Sequence, residues 1–312
     1  MKRKLVLLAS MLALVLAFAG CNSSAETKEA ASTEKESIAA TTAFTGDYVV
    51  NADYVAQNID KIILVDARGV EAASKQTVKG AVALDWQTIS KCADRAAGDE
   101  GFSVIMDAPD LAKTLGELGL DPSKEIVLFA SAQEGWGEDG RIAWELIAAG
   151  YSKVKIVNGG LAALKDAGLE TQAGGSTLDS VEVTISKLNE DHMINTDELK
   201  KDYDQYKIVD VRADSEYDGA TDYGELKGGH LPGAIHIRFT DLFNEDQTLK
   251  SNEEITAMFT DAGLSPDDKI VTYCTAGIRS AYMQLIMEQC GFKNVKNYDE
   301  SYYRWCAVND VE

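Results

Sequence analysis

The chain has 312 residues, with 51 acidic and 30 basic side chains and a formal net charge of -21. Such a charge repels phosphate backbones and anionic headgroups, so we exclude nucleic acid as a partner and expect membrane contact only through an apolar segment or a covalent lipid. The length predicts two domains. The cysteines are too scattered for a disulfide framework or a paired metal site, and we expect no cofactor: Cys21, Cys92, Cys274, Cys290 and Cys306.

The amino terminus has the pattern of an export signal. Three basic residues precede an apolar run, Leu5 to Phe18, which is about as long as a signal-peptide core and short for a bilayer span. The run ends in Ala19-Gly20-Cys21, which resembles the lipobox of bacterial lipoproteins, with Phe18 where leucine is commonest. The resemblance implies a signal peptide at 1–20, acylation of Cys21, and an extracytoplasmic protein anchored by lipid to the bacterial cell membrane. An ordinary secretory signal with a chance cysteine is the alternative.

We predict a disordered tether over residues 21–45. The stretch from Asn22 to about Ala43 is rich in Ser, Thr, Ala, Glu and Lys and contains no aromatic residue, so it has little to bury. Such a tether would place the folded part beyond the lipid headgroups.

The two halves of the chain repeat each other at an offset of 144, as 210 − 66 = 144 for the matching Asp66 and Asp210. Each of these residues ends a predicted strand in the pattern Asp-x-Arg. Residues 120–129 match 264–273 at the same offset, and each is a turn followed by an apolar run typical of a central parallel strand. Predicted helices at 141–149 and 279–290 and predicted strands at 154–157 and 295–298 follow.

Strands that alternate with helices predict an α/β fold of two domains, each a central, mostly parallel sheet flanked by helices on both faces. We place the first domain at 46–173 and the second at 189–312. The linker, 174–188, begins Gly174-Gly175-Ser176 and includes the strand-like stretch 181–185. Extra residues of the second half, around 218–227, are expected in a surface loop.

Cys274 lies between a predicted strand and a predicted helix. Successive amides of such a tight loop, with the positive end of the helix, form a concave nest that stabilises negative charge. A thiol at its base should have a lowered pKa and be nucleophilic, and Arg279 adds a permanent positive charge. The candidate site is therefore Cys274 as nucleophile with a cradle that comprises Thr275, Ala276, Gly277, Ile278 and Arg279.

The second half resembles the rhodanese family. The resemblance is carried by Asp210-Val211-Arg212, by Gly229-His230-Leu231-Pro232-Gly233-Ala234, by the six-residue loop from Cys274 to Arg279, and by the closing segment from Asp299 to Trp305. It implies a tandem-domain sulfurtransferase. The Cys274 thiolate would take sulfur from a small sulfur-containing anion such as thiosulfate, and the persulfide would pass it to a thiol or to cyanide. Asp210 and Arg212 would support the site, either by holding the loop or by touching substrate.

The loop favours sulfur over phosphate as cargo. Tyrosine phosphatases and related rhodanese-like phosphatases place five residues between cysteine and arginine, whereas Cys274 and Arg279 have four between them. Two features depart from thiosulfate-type enzymes: Thr275 and Ala276 are neutral, and Glu216 stands where an arginine is often found. Three interpretations stay open: thiosulfate as donor, 3-mercaptopyruvate as donor, or a catalytically weak sulfur- or ligand-binding surface lipoprotein.

The first half lacks the nucleophile. Since 274 − 144 = 130, the equivalent of Cys274 is Ala130, so we predict a structural or substrate-gating domain whose Asp66 and Arg68 serve the fold.

The cysteines other than Cys21 and Cys274 are expected to be small buried hydrophobes. The tryptophans are expected to be core or cleft walls, and the histidines show no metal-binding spacing. These residues are Cys92, Cys290, Cys306, Trp86, Trp136, Trp144, Trp305, His192, His230 and His236.

Overall fold

The structure, a computed structural model, describes residues 43–131 and 134–312. The predicted signal peptide, Cys21 and nearly all of the predicted tether lie outside the described residues. Within the described ranges, no helix combines the length and the hydropathy that a bilayer crossing requires.

A five-stranded parallel sheet forms the centre of the first domain, in the order β1-β6-β5-β2-β4, and a short antiparallel ribbon pairs β3 with β7. The strands are β1 Val49–Val50, β2 Ile62–Asp66, β3 Thr77–Val78, β4 Val82–Ala83, β5 Glu125–Phe129, β6 Val154–Val157 and β7 Thr171–Gln172. The helices are α1 Ala52–Asn58, α2 Gly69–Lys75, α3 Ala108–Glu117, α4 Glu138–Ala148 and α5 Gly160–Asp166, with a 3-10 turn at Trp86–Thr88.

The second domain repeats this plan with a five-stranded parallel sheet in the order β10-β9-β11-β12-β8. The strands are β8 Met193–Ile194, β9 Lys207–Asp210, β10 Ile235–His236, β11 Lys269–Tyr273 and β12 Asn294–Tyr298. The helices are α6 Thr196–Lys201, α7 Asp214–Tyr217, α8 Asn252–Asp261, α9 Ile278–Gln289 and α10 Ser301–Val308, with 3-10 turns at Glu190–His192, Tyr203–Gln205 and Phe239–Leu242.

Alternate residues of each central strand enter different core clusters. In β5, Ile126 and Leu128 pack into one cluster while Val127 and Phe129 pack into another. Successive side chains of a strand point to opposite faces, so the sheet is covered on both faces and the strand has no polar face. The predicted α/β fold of two domains is confirmed.

Helices α4 and α9 pack against each other and join the two domains. A Cβ placed on Gly140 would lie 2.2 Å from the ring carbon Cδ2 of Tyr282, so only glycine lets the helices approach this closely. Trp144 is fully buried and donates from Nε1 to Oε1 of Gln284 at 2.9 Å. One core cluster contains residues of both helices and both sheets, so the domains form a single packed body.

Two details differ from the sequence-based expectation. Residues 181–185 form no strand, because the amide of Val181 donates to the Gly116 carbonyl of the first domain at 3.0 Å without a continuing ladder. The folded part also begins before the expected tether boundary at residue 45. Phe44 is buried, and the amide of Thr45 donates to Oδ1 of Asn252 in the second domain at 2.9 Å. The other domain boundaries stay predictions.

Candidate active site

Cys274 is the first residue after β11, at the carboxyl end of the parallel sheet. The loop from Cys274 turns into α9 at Gly277, whose φ is 83°. A Cβ on Gly277 would lie 2.5 Å from the carbonyl oxygen of Asp299, so this left-handed turn requires glycine. The cysteine is 1% exposed, yet it lines a cavity with Thr275, Ala276, Ile278 and Arg279. The predicted cradle residues are therefore brought together, with Gly277 as the turn.

The electrostatics of the loop favour the thiolate. Burial by itself would raise the pKa of the Cys274 thiol, but the charge of Arg279 and hydrogen bonds from Ser280 and from the Ala276 amide outweigh it, and the pKa is lowered. The Ser280 hydroxyl oxygen lies 3.7 Å from the Cys274 sulfur. The negative charge is thus met by the first turn of α9 and by the loop backbone, as in an anion-binding nest.

Arg279 is ion-paired with Glu216 of the second domain's α7. Nη1 and Nη2 of Arg279 donate to the two carboxylate oxygens of Glu216, each at 2.7 Å. The Thr275 hydroxyl donates to the same carboxylate at 2.7 Å. Burial opposes ionisation of Glu216, but the hydrogen bonds and charge of Arg279 prevail and lower its pKa to about 2. Sequence reasoning noted Glu216 only as a departure, and it missed this pair.

The first domain holds the carbonyls of the Cys274 loop. Arg141 of α4 is fully buried, and its Nη1 donates to the Gly277 carbonyl at 3.2 Å and also binds the Asp299 carboxylate. Nη2 of Arg141 donates to the Ser103 carbonyl at 2.8 Å, and the Ser103 hydroxyl donates to the Ala276 carbonyl at 3.2 Å. Two successive loop carbonyls are anchored on the side of the first domain. The first domain therefore helps to fix the orientation of the loop backbone.

Asp210 and Arg212 lie behind the site and are fully buried. Arg212 donates from Nη2 to Asp210 at 2.7 Å and to the Gly229 carbonyl at 2.8 Å, and the Tyr273 hydroxyl donates to Asp210. Neither is among the described residues that line the cavity. Of the two roles considered, the geometry favours holding the strand ends together over touching substrate.

Aromatic side chains of both domains wall the cavity above Cys274, which has a volume of about 140 Å³. Phe102 and Tyr303 meet edge to face with ring centroids 5.7 Å apart, and Trp136 and Tyr223 meet likewise at 5.8 Å. Trp86 completes the wall. The expectation of core or cleft tryptophans included Trp86 and Trp136, whereas Phe102, Tyr223 and Tyr303 were missed. Tyr223 belongs to the extra residues 218–227, and this insertion relative to the first half was the signal that could have indicated it.

The corresponding loop of the first domain lacks the thiol and the cation of the Cys274 loop. Gly137, with φ of 73°, opens α4 as Gly277 opens α9, so Asp139 occupies the position of Arg279 and Ala130 that of Cys274. Burial and the charge of Glu138 raise the pKa of Asp139 to about 7, although backbone hydrogen bonds oppose this. An acid replaces the cation and a methyl group replaces the thiol.

Of the other cysteines in the described residues, Cys306 is buried as expected, whereas Cys92 and Cys290 are only partly buried. Burial raises the pKa of Cys92 and of Cys290 to about 11, and Cys306 is buried in the second domain's core. His230 and His236 stack on the two faces of Tyr217, with centroids 3.8 and 4.3 Å from its ring. In residues 43–131 and 134–312, no group of His, Cys, Asp and Glu side chains is suited to hold a metal ion.

Selective alkylation tests the electrostatics. Iodoacetamide at neutral pH should modify Cys274 before Cys92 or Cys290, because its pKa is lowered while theirs are raised to about 11. The rate should reach its plateau at a lower pH than that of a free thiol, and peptide mapping identifies the site. Preferential labelling of Cys92 in the folded protein would contradict this assignment.

Substitution of Arg141 tests its role in positioning the Cys274 loop. Arg141→Lys keeps the charge but loses the forked donors, and alkylation of Cys274 at neutral pH should slow about fivefold, as expected for ~1 kcal/mol per lost hydrogen bond. The pH profile of alkylation should shift upward. Ser103→Ala, which removes only the hydroxyl bond to Ala276, is the milder companion variant. Unchanged profiles in both variants, each verified as folded by circular dichroism, would refute the positioning role.

Comparisons with known proteins agree with this architecture. The family model described as "Rhodanese-like domain" matches residues 51–167 and 195–308. A protein of Mycobacterium bovis named putative thiosulfate sulfurtransferase 1 is 27% identical over 273 residues, which cover 84% of this chain and 95% of that protein. The 3-mercaptopyruvate sulfurtransferase of Escherichia coli is 27% identical over 285 residues, which cover 85% of this chain and 96% of that protein.

Solved structures are similar over the same region. The crystal structure of the Escherichia coli 3-mercaptopyruvate sulfotransferase has a TM-score of 0.71 and 25% identity, covering 82% of this chain and 98% of that one. The anaerobic ergothioneine biosynthesis enzyme of Chlorobium limicola shares the fold, with a TM-score of 0.73 and 20% identity over 85% of this chain and 70% of that one. The family model matches both domains, and this chain therefore belongs to the rhodanese-like domain family.

Proposed function

We propose that this protein is a sulfurtransferase that carries sulfane sulfur as a persulfide on Cys274. The observation that carries the proposal is a buried thiol of lowered pKa, at the base of an amide-lined loop and open to a cavity. The names of the relatives, putative thiosulfate sulfurtransferase and 3-mercaptopyruvate sulfurtransferase, are consistent with it. We propose that the first domain, with Ala130 in place of the cysteine, positions the loop and walls the cavity.

The reaction has two displacement steps. The Cys274 thiolate attacks the outer sulfur of the donor, and a sulfur–sulfur bond forms at Cys274 while the donor's own bond to that sulfur breaks and its electron pair leaves with the remainder, which is sulfite for thiosulfate. The negative charge of the new persulfide lies at the base of the loop from Thr275 to Arg279. A thiolate or cyanide then attacks the terminal sulfur and releases the Cys274 thiolate.

Thiosulfate and 3-mercaptopyruvate are the two donors that the names of relatives suggest. A catalytically weak sulfur- or ligand-binding protein is the alternative, and the neutral Thr275 and Ala276 beside the thiol are the feature that favours it. The two proposals differ in turnover, since a binding protein would hold sulfur without passing it to an acceptor.

Intact mass spectrometry tests the persulfide. Incubation with excess sulfane donor should add the mass of one sulfur atom, and cyanide should remove it with formation of thiocyanate. Cys274→Ser should abolish the gain, because a hydroxyl in that position forms no persulfide. Cys92→Ser is the matched control, since it removes a thiol whose pKa is raised to about 11.

The outcomes separate the two proposals. A sulfur adduct that persists in Cys274→Ser would refute the assignment of the nucleophile. An adduct on Cys274 that neither cyanide nor a thiol removes would favour the binding protein over the transferase.

We further propose that the chain is exported and acylated at Cys21, which would anchor it to the outside of the bacterial cell membrane. The support is the lipobox-like Ala19-Gly20-Cys21 after a short apolar run. Cells grown with radiolabelled palmitate should yield a labelled protein that enters the detergent phase of Triton X-114, and Cys21→Ser should lose the label and the partitioning. Unlabelled protein from the parent chain would leave an ordinary secretory signal as the explanation.

A further inference from the structure

The cavity above Cys274 carries almost no net charge apart from the thiolate. Among its described lining residues, Arg279 alone is charged. Its guanidinium is compensated by the Glu216 carboxylate through two hydrogen bonds of 2.7 Å. A small dianion needs uncompensated cations or many donors to replace its hydration, because burying unpaired charge is costly. This cavity offers such a dianion little beyond the loop at its base.

The walls of the cavity are instead suited to an apolar group on the sulfur donor. We call the part of the donor other than the transferred sulfur its body. Phe102 and Trp136 of the first domain face Tyr303 and Tyr223 of the second, and Trp86 and Ile278 complete the lining. Aromatic rings bury large apolar areas and accept a further ring edge to face or stacked. Trp136 and Tyr223 are each 43% exposed, so they stand at the mouth, where an entering group contacts them first.

The volume of the cavity limits the size of the donor's body. The cavity measures about 140 Å³. An engineered apolar cavity of about 150 Å³ in another protein binds benzene, so one six-membered ring or a group of similar size is the upper limit here. The sulfur to be transferred must at the same time point to Cys274 at the base.

We infer that the physiological donor is an organic sulfur compound whose body is an uncharged apolar group of up to about one ring, and not inorganic thiosulfate. This rests on the proposed function and specifies its substrate class. The aromatic walls bind the body, and the amide-lined loop receives the sulfur. Glu216 excludes small dianions because it cancels the charge of Arg279.

Thiosulfonates, R-SO2-S⁻, provide a series of donors in which the apolar group R can be varied while the reaction at sulfur stays the same. The Cys274 thiolate and R-SO2-S⁻ give the persulfide anion and the sulfinate R-SO2⁻: one sulfur–sulfur bond forms, one breaks, and no oxidant or reductant is required. Thiosulfate follows the same course and releases sulfite. Methanethiosulfonate and benzenethiosulfonate each carry one negative charge and differ only in the group R. Thiosulfate carries two negative charges, so its comparison with methanethiosulfonate tests the effect of charge.

The experiment measures the rate of persulfide formation on the full folded chain with these three donors. Each rate is divided by the rate of the same donor with a small free thiol, which removes differences in intrinsic reactivity. We expect the normalised rate for benzenethiosulfonate to exceed that for methanethiosulfonate by about tenfold or more, from burial of the ring. Thiosulfate should be the slowest of the three.

Two variants assign the preference to the cavity. Trp136→Ala, at an exposed position of the cavity wall, should lower the rate with benzenethiosulfonate more than the rate with methanethiosulfonate, and so remove most of the advantage of the ring. Val70→Ala is its control, because Val70 is 60% exposed and does not line the cavity. Glu216→Gln leaves Arg279 uncompensated, so it should raise the ratio of thiosulfate to methanethiosulfonate several-fold.

The outcomes distinguish this inference from the proposed function. A persulfide that forms fastest with thiosulfate after normalisation, or an advantage of the ring that survives Trp136→Ala, overturns the substrate class and leaves the sulfurtransferase intact. Absence of a persulfide with all three donors overturns the proposed function and this inference together.

Discussion

The rest of the site depends on the hydrogen bonds of one buried guanidinium, that of Arg141. It belongs to α4 of the first domain, yet it binds the Gly277 carbonyl and the Asp299 carboxylate of the second. A fully buried charge is tolerated only when it is paired and hydrogen-bonded, so the two domains cannot separate without exposing several partners at once. The geometry of the Cys274 loop is therefore a property of the whole two-domain body.

The structure separates stabilisation of the thiolate from attraction of an anion. Arg279 lowers the pKa of Cys274, but its charge toward the cavity is compensated by Glu216. What remains for the sulfur is a set of short-range donors from the loop and the first turn of α9. Such donors act over a few ångströms and confer no long-range steering. The cavity can thus hold an activated sulfur without attracting every small anion in solution.

Much of the fold was predictable from the sequence, because its signals are local. The apolar runs before Asp66, Ala130 and Cys274 are central strands, and the internal repeat transfers each assignment from one half to the other. The loop around Cys274 was predictable for the same reason, since it is one continuous segment that ends in a glycine turn.

The missed contacts join residues far apart in the chain. Arg141 and Gly277 are separated by 136 positions and Glu216 and Arg279 by 63. They depend on how α4 packs on α9 and on how two strand ends face each other, and neither relation leaves a periodic pattern in the sequence. Phe102 and Tyr303 were missed likewise, because an aromatic residue looks the same in the sequence whether it faces a core or a cavity.

The exchange of Arg279 for Asp139 makes the two halves of the repeat non-interchangeable. The loop from Ala130 to Gly137 spans 7 positions where that from Cys274 to Gly277 spans 3, a difference of 4. A cysteine restored at residue 130 would meet an acid with a pKa of about 7 and a longer turn, so its thiolate would be disfavoured. An active site in the first half would therefore require several simultaneous changes. A single substitution does not remove the difference between the two halves of the repeat.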